Sequence, residues 1–108
     1  MSYLKHSAYI PLLDAVGADW LVVSDGPIAT FSILTTPAAG ASIALTFPKE
    51  LADANYVVVA QAEGLTDVVV DESTKTTTGC TVLGTFTGAE VLNVIVMGSR
   101  LSTQPAPI

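Results

Sequence analysis

The chain has 108 residues, enough for one compact domain, and half of them are hydrophobic. Ten acidic and four basic residues leave a net charge of −6, and the cations Lys5, Lys49, Lys75 and Arg100 are scattered, which argues against binding nucleic acid. No apolar run approaches the ~20 residues of a spanning helix, which argues against membrane insertion, and the single Cys80 cannot form an internal disulfide.

Residues 1–40 form the less regular third. Ala8–Leu13 reads as a short strand that Pro11 confines to an edge, and Asp14–Asp19 reads as a turn around Gly17. Trp20–Ser24 reads as a strand, broken by Asp25-Gly26-Pro27. Ile28–Leu34 alternates in part, and Thr35–Gly40 is small and flexible, suited to a hinge or an interface crossing. The Lys5-His6 start leads into no uninterrupted apolar stretch, so no signal peptide is expected.

From Ala41 onward the pattern sharpens. Ile43, Leu45 and Phe47 alternate with Ser42, Ala44 and Thr46, the period-2 mark of a strand with one buried face. After Phe47-Pro48, Leu51 is expected to plug the space beneath the sheet. Tyr56–Ala62 is apolar on both sides and β-branched, which predicts a central strand covered on both faces. Leu65–Val70 predicts another strand, Thr74–Thr78 an exposed strand or edge, and Gly79 a bulge or bend. Cys80–Phe86 and Val91–Met97 predict the last two strands, followed by a Pro-containing extended tail at residues 101–108. Short strands with turns every eight to twelve residues describe an all-β antiparallel β-sandwich or a barrel, with no helix.

A domain this small and this poor in charge exposes apolar surface that water penalises. Val57, Val59, Leu92, Val94 and Val96 are read as second faces and hence as the oligomer interface; each such side chain is worth ~1.5–3 kcal/mol when buried and is an aggregation hazard when exposed. A homotrimer with these faces inward is the expected form.

No catalytic, cofactor-binding or metal-ligating set emerges, and no cofactor is expected. His6 is the single histidine; neither Cys80 nor any serine accompanies it with a nucleophile motif, so it reads as structural or solvent-exposed. Cys80 reads as a small buried hydrophobe. Asp14, Asp19 and Asp25, and separately Asp67, Asp71 and Glu72, lack calcium-loop spacing and read as solvated turn residues. An ion held where subunit loops meet is the lesser reading. Trp20 could stack on a sugar, but its neighbours Leu21, Val22 and Val23 favour a core or interface position.

Five pieces occur in a telling order: Phe47-Pro48, Leu51, Tyr56–Val59, Thr78-Gly79-Cys80-Thr81-Val82, and Asn93-Val-Ile-Val-Met-Gly98. They resemble the H-type-lectin-like domain at the tips of bacteriophage tail fibres, departing from it at Cys80 and at Asn93-Val94, where aromatics are usual. The resemblance implies a non-enzymatic virion surface protein. It would have an N-terminal docking arm (1–40), a β-sandwich (41–100), trimeric assembly, and contact with other virion proteins and with a host receptor or surface glycan. No sugar-binding residue carries over. The chain lacks the stalk that precedes a fibre tip, so the alternative expectation is a capsid decoration (cement) or head-fibre protein.

Overall fold

The computed structural model describes residues 11–12, 16–26 and 28–103. Among the described residues the chain is all-β, with two sheets and two single-turn 3-10 segments, Gly17–Asp19 and Glu72–Thr74. Its strands are β1 (Pro11–Leu12), β2 (Leu21–Asp25), β3 (Ala29–Pro37), β4 (Gly40–Thr46), β5 (Val57–Ala62), β6 (Val69–Asp71), β7 (Gly79–Phe86) and β8 (Leu92–Ser99). The larger sheet runs β2-β3-β8-β5, all antiparallel. Beyond Leu21, the first residue of β2, β1 takes over the same flank of β3 in parallel, with Pro11 opposite Thr36. The smaller sheet is β4-β7-β6, also antiparallel.

Register turns local alternation into a core. Three rows cross the inner face of the larger sheet: Phe31–Val96–Val58, Ile33–Val94–Ala60 and Thr35–Leu92–Ala62. The smaller sheet answers with Ile43–Val82–Val70 and Leu45–Cys80. Phe31, Val82, Leu92 and Val94 are wholly buried, and the two sheets share one apolar cluster, as a β-sandwich requires. Two buried polar atoms, Trp20 Nε1 and Thr35 Oγ1, lack a hydrogen-bond partner among the described residues, each at a cost of about 1–3 kcal/mol.

One end of the core is aromatic. Trp20 meets Phe47 edge-on at 5.7 Å, and Phe47 meets Tyr56 the same way at 5.2 Å, the geometry ring quadrupoles favour. Beside them Leu51 is buried, bridged to Leu101 and tied by its N–H to Thr77 O. It is the plug its place after Phe47-Pro48 predicts. Gly79 opens β7 where the backbone of β4 passes so close that a Cβ would collide with Leu45 O.

Several expectations are corrected. The boundary placed at residue 41 cuts through the sandwich, because β3 is an inner strand of the larger sheet and supplies Phe31 and Ile33 to the core. Residues 21–25 and 29–37 therefore belong to the sandwich and to no separable arm; residues 1–10, including His6, and Asp14 lie outside the described residues. Tyr56–Ala62 yields an edge strand rather than a central one, since among the described residues β5 pairs only with β8. Leu65–Val70 shrinks to the three-residue β6. Thr74–Thr78 is no strand, because Asp71 accepts from Ser73 N and Ser73 Oγ and starts a 3-10 turn instead. Most consequentially, Leu92, Val94 and Val96 point inward and are at most 1% exposed, so they belong to the core of the single chain and not to an outer face.

Candidate interaction surface

Among the described residues, those that could do chemistry are apart or buried. Among the described residues, no three His, Cys, Asp or Glu side chains gather as a metal site would require. Cys80 is a buried free thiol. Burial pushes its pKa up, against the smaller pull of the Tyr56 hydroxyl and the Lys75 ammonium, so it stays protonated and unreactive. The Tyr56 hydroxyl, itself pushed well above its ordinary range by burial, donates to Gly79 O (2.9 Å) and Thr76 O (3.0 Å). Lys75 Nζ lies over the Tyr56 ring, donates to Tyr56 O and pairs with Glu72. Each contact locks the β5–β7 corner. Trp20 is 7% exposed, which removes it as a sugar-stacking platform.

The acidic side chains behave as turn residues. Asp19 closes the first 3-10 turn by accepting from Val16 N. Asp25 pairs with Lys49 at 3.7 Å, and Asp67 accepts from Thr85. Glu90 accepts from the backbone and hydroxyl of Thr87, and these bonds hold its carboxyl below the ordinary value.

The exceptional surface is the outer face of the larger sheet. Pairing places Val59, Ile95, Ser32 and Leu21 in one row across all four strands. A second row is Val57, Met97 and Thr30, and a third is Gln61, Asn93 and Leu34. Val23 stands out beside them where β2 bulges between Val22 and Ser24. Leu21, Val23, Leu34, Val57, Val59 and Met97 are each between 41% and 58% exposed. No Asp, Glu, Lys or Arg occupies any of these positions. Covering a half-exposed side chain of this size is worth about 1 kcal/mol, so the face carries several kcal/mol of unspent burial.

The opposite face of the molecule contrasts with it. Outward rows of the smaller sheet read Ser42–Leu83–Val69 and Ala44–Thr81–Asp71, with Thr46 and Thr85 beyond. Hydroxyls and carboxylates interrupt every apolar stretch there. At one end of the larger sheet's face, an open groove of about 600 Å³ runs between Leu34, Gln61 and Asn93 on the sheet and Leu65, Val68 and Val91 on the loops.

Of the five residues expected at an interface, Val57 and Val59 lie on this face and the three from β8 do not. The residues missed are Leu21, Val23, Leu34, Ile95 and Met97. A signal for two of them was present in Asn93: the single polar residue of an apolar strand faces outward, and counting by twos from it selects Ile95 and Met97. Comparison of the chain with protein-family models, curated proteins and solved structures finds no match.

Proposed function

We propose that this protein is a non-enzymatic structural subunit of a bacteriophage particle, of tail-fibre-tip type, displayed on the virion surface after synthesis in the host cytoplasm and contacting a host receptor or glycan. One observation carries the structural-subunit part of the reading: an uncharged apolar face on a rigid four-stranded sheet, backed by a polar sheet on the other side of the molecule. Such a face is built for standing contact with protein, and no cluster of chemically active groups competes with it among the described residues. The particle assignment rests on the tail-fibre resemblance alone; of its packing residues Phe47, Leu51 and Val82 are buried here, whereas Val57 and Val59 face outward.

A second reading, a capsid decoration or head-fibre protein, is favoured by one specific observation. Trp20, Phe31, Phe47, Tyr56 and Phe86 are all buried, so among the described residues no exposed aromatic ring offers itself to a sugar. Two assays separate the readings. Purified protein added before infection blocks phage adsorption if the subunit meets the host; stoichiometric binding to empty capsids without such a block establishes decoration. Neither effect would sink the virion proposal.

A further inference from the structure

We infer that the outer face of the larger sheet is a homotypic interface, covered in solution by other copies of this same chain. The inference names the partner for that face and rests on the proposed reading only in taking the chain as a subunit of an assembly.

Area is the first argument. Six side chains about half exposed, each with roughly 150–200 Å² when free, present on the order of 500 Å² of apolar surface, at the upper end of what single-chain proteins leave uncovered. The hydroxyls and amides of Thr30, Ser32, Gln61 and Asn93 extend the same plane, bringing it toward the ~800 Å² per partner of a stable interface.

Charge identifies the occupant. Every copy carries a net charge of −6, so two copies meet at least electrostatic cost where carboxylates are absent from the contact. This face is such a place, and Asp71 denies the same role to the outer face of the smaller sheet. A basic partner would instead be drawn to the carboxylates of the turns and the smaller sheet. The apolar rows need only apolar rows opposite, and the amides and hydroxyls both donate and accept, so the surface complements itself.

Chain composition fits the same conclusion. With 13% charged residues and a mean hydropathy of +0.57, the chain is short of the polar surface that a solitary domain of this size normally shows.

Analytical ultracentrifugation of the full chain provides the test. Wild type is expected at a whole multiple of 11.1 kDa, three copies if the trimer implied by the tail-fibre resemblance is right. Val59→Asp is expected to weaken self-association at least 100-fold and sediment as a single chain with an unchanged far-UV spectrum. Ala44→Asp, on the exposed outer face of the smaller sheet, is expected to keep the wild-type mass. Met97 provides an independent readout: its peroxide oxidation, followed by mass spectrometry, is expected to run several-fold faster in Val59→Asp than in wild type. Should Val59→Asp misfold, Leu21→Lys, at the far side of the same row, must give the same dissociation. A single-copy wild type at high concentration, or a Val59→Asp variant that keeps the wild-type mass, overturns the inference. Neither result touches the adsorption and capsid assays, which decide the virion reading separately.

Discussion

Replacing Tyr56 by Phe isolates one oxygen atom at the corner where β5 meets β7. Its hydroxyl is the donor shared between Gly79 O at 2.9 Å and Thr76 O at 3.0 Å, and the residue is 2% exposed. The two acceptors fare differently once it goes. Gly79 O still receives Thr76 N at 2.9 Å, whereas no other bond to Thr76 O is evident among the described contacts. The ring itself is retained, and with it the edge-on contact to Phe47 and the Lys75 ammonium 5.2 Å from its centroid. The loss is therefore one shared hydrogen bond plus one poorly satisfied carbonyl, about 1–2 kcal/mol. For a domain of this size that corresponds to roughly a 5–15 °C fall in Tm, to be read by calorimetry at matched protein concentration. A Tm within 2 °C of wild type would show that the hydroxyl holds nothing, and the account of this corner would be wrong. A collapse of the fold would refute it from the other side, because the packing is unchanged.

Alkaline titration addresses the same corner. Tyr56 and Cys80 have their pKa values raised in the fold from ordinary values of 10.0 and 9.0, so the unfolded chain releases these protons first. Stability is then full below about pH 9 and falls as pH rises, by up to ~1.4 kcal/mol per pH unit for each group; Tyr56→Phe and Cys80→Ala should each flatten the slope in urea titrations. Val94→Asp places a carboxylate where side-chain exposure is zero, costing about 3–5 kcal/mol, and should abolish the dispersed amide spectrum; a folded variant would contradict the inward placement of β8. Gly79→Ala drives a methyl into Leu45 O and should lower the urea midpoint by the equivalent of about 1–3 kcal/mol; an unchanged midpoint would mean that β4 and β7 lie further apart.

Where one side of a strand is polar, the sequence is transparent. Ser42, Ala44 and Thr46 against Ile43, Leu45 and Phe47 give the correct inward set for β4 without any knowledge of its partner. Where both sides are apolar, parity is lost: Val57–Ala60 and Val94–Met97 look alike on either face, and only pairing with the neighbouring strand reveals which valines are inside. The fault in the interface assignment lies there, and the cross-strand amides Gln61 and Asn93 were the available markers. β3 was hidden differently. Its first part, within Ile28–Leu34, alternates visibly, but Thr35 and Thr36 fall in a run that resembles linker, and its partner β8 lies some sixty residues further along the chain, beyond any local pattern. The Thr-rich run misled through propensity, since β-branched residues suit strands while the Asp71 side chain bonds Ser73 locally and turns the chain.

The order in which strands find partners bears on how the protein is made. β3 finds β2 already made but gains its other neighbour only with β8, β5 waits for β8 altogether, and β4 and β6 both wait for β7. The two strands that every sheet is assembled around are thus the last to leave the ribosome, at 5–20 residues per second. Until β8 has emerged, beginning at Leu92, the nascent chain offers an apolar segment, Val57-Val58-Val59, without the strand that pairs it among the described residues. A message truncated before β7 encodes a product that keeps the β2–β3 pair but completes neither sheet, with a strong tendency to aggregate.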